Sequence, residues 1–249
     1  MYMLDIAIRQ NTAVIALNRP ERRNALCTEG MIALRAALVE ADRNPSVKAI
    51  VLTGAAPAFC AGSDLKELAV LDVEGMRDHE LETAAVARSI ALLGKPVIAA
   101  VEGYALGGGF ILAVSCDLVV TASDARWHLP EVQNGWIPPW GLGALLARVG
   151  PVIARRLTWG TEAIDGAAAA ALGVADEAVE TGRALEKALK LADSLARLPA
   201  QAVRSTKEFF EPFAHLDGER LDRAAARLFV RDCESAEAKA TLARFSVKT

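Results

Sequence analysis

One glutamate set among tryptophans and two glycine-bearing loops are the groups in this sequence best equipped to do chemistry. Glu131 follows Leu129-Pro130, with Trp127, Trp136 and Trp140 nearby, three tryptophans that read as a bulky pocket wall or as simple packing. A carboxylate among aromatic and apolar groups is hard to ionise, because burial penalises the charged form. Such a glutamate can give and take a proton near neutrality. A solvated loop glutamate is the other reading of the same segment. His128 beside it suits either an assisting or a structural role. Gly107, Gly108 and Gly109 stand together between apolar runs in the stretch 101–117. Glycine lets a ligand approach bare backbone, and the first N–H groups of a helix have no internal partner, so this junction can hold negative charge. The spacing is not G-x-G-x-x-G and no Lys-Ser/Thr follows, which disfavours nucleotide phosphate and leaves a transient oxyanion. A glycine turn serving only close strand–helix packing remains open. A second loop, Phe59-Cys60-Ala61-Gly62-Ser63-Asp64-Leu65, can present the Ser63 N–H beside the first, or can be an ordinary connection with Asp64 as helix cap. Ser63 as a nucleophile lacks a base, G-x-S-x-G is absent, and no spacing recommends a metal site.

The elements that must position these groups alternate. Residues 3–8 and 13–17 read as a β-hairpin, followed by a charged loop and a helix capped by Thr28 with Glu29. Residues 49–53 read as a buried strand, 65–93 as one short and one long helix, 97–101 as the strand before the glycines, and 117–122 as another strand. Residues 126–135 read as irregular, and 136–141 as a break before a helix at 142–149. From 151 on the pattern is helical, over 151–159, 163–172, 182–197, 199–212 and 217–243. This is an α/β chain with a helical tail beginning near residue 195, and the tail has no core of its own. A neighbouring subunit is the natural surface for it.

Composition narrows the partners. The 249 residues are 53% hydrophobic with a net charge of −3, enough apolar content for one large domain. That balance gives no reason to expect nucleic acid or an anionic membrane as partner. Cys27, Cys60, Cys116 and Cys233 form no C-x-x-C pair and read as reduced thiols of a cytoplasmic protein. No apolar run approaches the roughly 18 residues of a membrane span, and the N-terminus lacks the features of a secretory signal.

Taken together, these segments resemble the crotonase family, the enoyl-CoA hydratase/isomerase superfamily, over nearly the whole chain. Asn18-Arg19-Pro20 through Asn24-Ala25-Leu26 is similar to the family's early loop. Residues 58–65 and 103–109 are similar to its two oxyanion-hole loops. Cys116-Asp117-Leu118, Leu129-Pro130-Glu131 and Gly135 to Pro138 follow in order. The resemblance implies a crotonase-like spiral of ββα units over 1–195 that binds acyl-CoA, and a C-terminal helical trimerisation region over 196–249. It implies a homotrimer or dimer of trimers. It implies a CoA thioester as substrate and no separate cofactor. By motif position, the N–H groups of Ser63 and Gly108 polarise the thioester carbonyl and Glu131 is the acid/base. The backbones of Asn24, Ala25 and Leu26, and of Ala61 to Asp64, line the nucleotide site. Tyr104, Ile111 and Trp136 belong to the substrate-binding set. Phe245 and Lys248 are similar to a Phe-x-x-Lys pair that touches CoA.

One departure bears on the reaction. Hydratases of the family usually carry a second glutamate two residues after the glycine triplet, where this chain has Ile111. A single carboxylate suits a shuttle that moves a proton from C2 to C4 of a 3-enoyl-CoA, whereas hydration divides naturally between two. Ile137-Pro138-Pro139-Trp140-Gly141-Leu142 is also similar to the loop of single-glutamate isomerases, and Pro139 argues against an aspartate-based dehalogenase. Isomerisation is therefore placed ahead of hydration, with a non-catalytic acyl-CoA binder as the alternative from another class. RNA binding would want a basic stripe, which the composition lacks.

Overall fold

The computed structural model describes residues 3–214 and 217–246. The first layer is a six-stranded sheet. β1 (Leu4–Arg9) pairs antiparallel with β2 (Thr12–Leu17), forming the expected hairpin. β3 (Ala49–Gly54), β4 (Val97–Val101), β6 (Leu118–Ala122) and β8 (Glu177–Val179) follow in parallel, in the order β1-β2-β3-β4-β6-β8. β3 and β4 are apolar almost throughout because both faces are covered, as parallel strands require. One face meets α8 (Ala184–Ala196), whose Ala184, Ala188 and Ala192 sit four residues apart and let the helix lie close on Val51, Ile98 and Val120. The other face holds the main core, which includes α1 (Thr28–Arg43) and α3 (Val73–Leu92).

Two successive turns of the chain repeat strand, strand, helix. β4, β5 (Tyr104–Leu106) and α4 (Gly108–Val114) form one. β6, β7 (Arg126–His128) and α5 (Glu131–Asn134) form the next, and β5 pairs parallel with β7 in a separate small sheet. This is the ββα spiral that the resemblance implies. The segment expected to be irregular, 126–135, thus contains a strand and a helical turn. Three residues are too few to show a period in sequence, and β7 exists because β5 lies beside it. β8 was hidden the same way inside the helical stretch.

α2 (Leu65–Leu68), α6 (Leu142–Trp159) and α7 (Gly166–Ala171) complete the body, with α6 kinked at Gly150 (φ 70°, ψ 171°). Cys27, not Thr28, caps α1, its Sγ accepting from Gly30 N. The helix expected over 217–243 is two, α10 (Gly218–Cys233) and α11 (Ala236–Ser246). Ser235 Oγ accepts from Ala238 N and caps the second. α10 and α11 pack back on α3, α6 and α2 of their own chain, and Leu68, Met76, Trp136, Phe229, Cys233 and Ala238 form a small core there. α9 (Ala200–Ala214) leaves Phe209, Phe210 and Phe213 exposed.

Candidate active site

The loop after β3 is held by the early loop. Asn24, buried, donates through Nδ2 to Ala55 O (2.8 Å) and Ala58 O (2.7 Å) and accepts from Arg19 N through Oδ1. Leu26 and Ser63 form a parallel bridge, in which Leu26 N donates to Gly62 O and Asp64 N to Leu26 O, each at 2.8 Å. Asp64 caps α2 through Lys66 N and pairs with Arg19 at 3.0 Å. The second loop is zipped onto the first. Cys60 N donates to Tyr104 O and Leu106 N to Cys60 O, both at 3.0 Å, while Gly107 N donates to His128 O at 2.9 Å.

These bonds bring two N–H groups together at the start of α4. A methyl at Gly108 would lie 3.6 Å from Ser63 N, and one at Gly62 would lie 3.0 Å from Gly108 N. Among the described residues neither the Ser63 nor the Gly108 N–H has a backbone acceptor. Gly107 has φ +52°, a conformation glycine adopts without cost, and a side chain there would meet Glu131 Oε1 at 2.8 Å. Glu131 opens α5 behind Pro130, is 8% exposed, and its Oε2 has no hydrogen-bond partner among the described residues. Burial, more than anything else, pushes its carboxyl up to about 8. A hydrogen bond from its own backbone opposes this, and the nearby Glu80 carboxylate adds to it. The Cys60 thiol beside the loops is pushed up to about 12 by burial, so it is no nucleophile near neutrality.

One cavity of about 70 Å³ joins these groups. Of the residues expected from sequence, Ala61, Ser63, Gly108, Ile111, Glu131 and Trp136 line it. The others stand outside its walls. Asn24 and Ala25 brace the loops, and Leu26 reaches Gly108 with Cδ1. Asp64 faces a separate open hollow with Arg19, Cys27 and Glu67. Tyr104 lies under the Arg23 guanidinium, and Phe245 is half-buried near the end of α11. Lys248 lies outside the described residues. His128 does not line the cavity, and its Nε2 is bonded to Gly160 O at 2.8 Å. Trp127 is no pocket wall: it is fully buried against Phe110 with its indole N–H on Thr121.

Trp136 and Trp140 are walls as expected, whereas sequence reading missed Glu80 altogether. Trp140 lies over Gly108, and Glu80 reaches the cavity from α3. Met76, Glu80, Ala84 and Ala87 recur at helical spacing and are all buried. A glutamate on the apolar face of an amphipathic helix was the available signal.

The profile of the family described as Enoyl-CoA hydratase/isomerase matches residues 7–249. A putative enoyl-CoA hydratase of Thermus thermophilus is 36% identical over 228 residues, covering 89% of this chain and 90% of its own length. A probable enoyl-CoA hydratase of Rhizobium meliloti is 37% identical over 243 residues, covering 94% and 91%. The crystal structure of an enoyl-CoA hydratase/isomerase from Mycobacterium paratuberculosis superposes with a TM-score of 0.85 at 26% identity, covering 97% of this chain and 98% of that one.

Proposed function

This chain belongs to the enoyl-CoA hydratase/isomerase family, and from that premise we propose that it acts on an acyl-CoA thioester through an enolate, with Glu131 as the acid/base. The observation that carries this reading is one cavity into which the Ser63 and Gly108 junctions and the Glu131 carboxyl all open, with Glu131 Oε2 lacking a partner among the described residues. The two N–H groups hold the thioester oxygen. Preorganised donors of this kind stabilise the charge that develops there when C2 loses or gains a proton. Glu131, whose pKa of about 8 lies close to neutrality, exchanges that proton with little free-energy mismatch. CoA extends past Asn24, Ala25, Leu26 and the 61–64 backbone, where the open hollow beside Asp64 supports its passage. Phe245 and Lys248 belong to the same proposal. So does assembly as a trimer or dimer of trimers through 196–249, which the exposed Phe209, Phe210 and Phe213 of α9 support.

Two outcomes are open to such an enolate. Isomerisation needs Glu131 alone: it removes the C2 proton of a 3-enoyl-CoA and returns it at C4. Buried Ile111, where a second glutamate would otherwise stand, favours this reading. Hydration, named in the relatives, also needs a group that activates water. Incubation with 3-enoyl- and 2-enoyl-CoA esters of several chain lengths, with products separated by mass, tests the proposal. Isomerisation leaves mass unchanged and hydration adds one water. Neither product, with the esters bound, would refute the enzyme reading and leave a non-catalytic binder.

A further inference from the structure

The cavity has a second carboxyl, and it comes from a helix outside both glycine loops. Glu80 sits on the buried face of α3 at 3% exposure. Trp140 Nε1 donates to its Oε2 at 2.6 Å, and the same indole ring stands over Gly108, where a methyl would lie 3.0 Å from Cζ2. Trp140 therefore spans from the oxyanion glycine to Glu80. A charged group at a core position is costly unless it is hydrogen-bonded or put to use, and Glu80 has the bonds while facing the cavity. We propose that Glu80 is the second carboxylate of this site, the group that holds and deprotonates the water adding to a 2-enoyl thioester. It takes from α3 the role that Ile111 leaves vacant on α4. The proposal rests on the enolate reading above and decides between its two outcomes in favour of hydration.

The surroundings of the two carboxyls divide their roles. Burial raises both, but His79, Ser63 and Trp140 all favour the ionised form of Glu80, while Glu131 Oε2 has no partner among the described residues. Two carboxyls facing one cavity do not both ionise cheaply, and Glu80, with the hydrogen bonds, is the better placed of the two to carry the charge. The titratable groups near Glu80 are His79 on its own helix, Glu131 on α5 and Cys233 on α10. In the step itself, Glu80 takes one proton from water as the oxygen bonds to C3. The C2–C3 π pair moves towards the thioester oxygen, held by Ser63 and Gly108. Glu131 then gives its proton to C2 as the carbonyl re-forms. One proton leaves water, one arrives at C2, and transfer between the two carboxyls through solvent resets the site.

The test compares two reactions of the full chain: hydration of 2-enoyl-CoA esters, and exchange of the C2 protons of saturated acyl-CoA esters with D2O, read by NMR. Exchange needs the N–H pair and Glu131; hydration needs Glu80 as well. In Glu80→Gln, hydration kcat should fall by at least about 100-fold with KM within about threefold, while exchange falls by less than about tenfold. Its residual hydration should lose the acid limb of the pH profile, and Glu80→Asp should recover at least about tenfold over the amide. Hydration by Glu80→Gln at near wild-type rate would overturn the proposal. So would Trp140→Phe and Glu80→Gln depressing both reactions alike, since Glu80 would then only position the indole. If Glu80→Gln does not fold, Glu80→Asp should still lose more hydration than exchange, and equal losses would overturn the role. Wild-type exchange without hydration overturns this proposal and leaves the enolate reading standing. Wild-type protein that does neither refutes the enolate reading itself.

Discussion

Replacing Glu131 by glutamine should make the protein more stable, and increasingly so as pH rises. An ordinary glutamate titrates near 4.5, and burial moves this one to about 8, with Glu80 adding to the shift. The folded carboxyl therefore holds its proton more tightly than the unfolded one. Between these two values the native state binds more protons than the unfolded state, so stability falls as pH rises through that window. At about 1.4 kcal/mol per tenfold in proton affinity, the penalty is below about 1 kcal/mol near pH 5 and approaches about 5 kcal/mol above pH 8. Glutamine has nearly the same shape and cannot ionise. The stability difference between variant and wild type should thus widen by about 4 kcal/mol from about pH 5 to about pH 8.5. Urea unfolding of both proteins at both pH values measures it, and groups that titrate alike in the two proteins cancel in the difference. The same variant should lose turnover by about 10²–10⁴-fold. A stability difference that stays constant with pH, within about 1 kcal/mol, would refute the claim that Glu131 is buried in a setting that resists its charge.

Two further substitutions probe the loops that surround this carboxyl. Gly108→Pro deletes one oxyanion donor at the first position of α4, where a helix tolerates proline's missing N–H and fixed φ and the Trp140 ring, 3.0 Å from the new Cβ, must give slightly. The barrier should rise by about 3–4 kcal/mol, and a folded variant with unchanged kcat would sink the oxyanion role. Asn24→Ala strands the Ala55 and Ala58 carbonyls and the Arg19 N–H, so stability should drop by about 2–3 kcal/mol with a raised KM for CoA esters. An unchanged unfolding midpoint would show that the two loops are held by something else.

Local backbone demands were legible in the amino-acid sequence. Gly62 and Gly107 occupy positive φ where their neighbours leave no room for a side chain, and Asp64 caps the helix it precedes. Apolar runs over β3 and β4 mark strands covered on both faces, and the regular spacing of α1, α3 and α8 marks helices with a buried side. Each of these signals is carried by residues adjacent in the chain or one helical turn apart. The motifs at 58–65, 103–109 and 129–131, read in order, also pointed to the family.

Tertiary structure decided the rest. β5, β7 and β8 are three residues each, too short for a period, and form only where a distant strand offers hydrogen bonds. Trp127 looked like a pocket wall and is core because Phe110 and Thr121 fold around it. The helical tail could have rested on a partner alone, yet Phe229 of α10 closes this chain's own cavity, and Asp222 meets Arg88 and Gly141 N. Reading along α4 found Ile111 and one carboxylate. The second belongs to α3, 51 positions before Glu131, and only the packing of α3 against the glycine loops and Trp140 brings the two together. Sequence determines which face of a helix turns inward. What that face meets is set by contacts between segments far apart in the chain, and no local pattern records them.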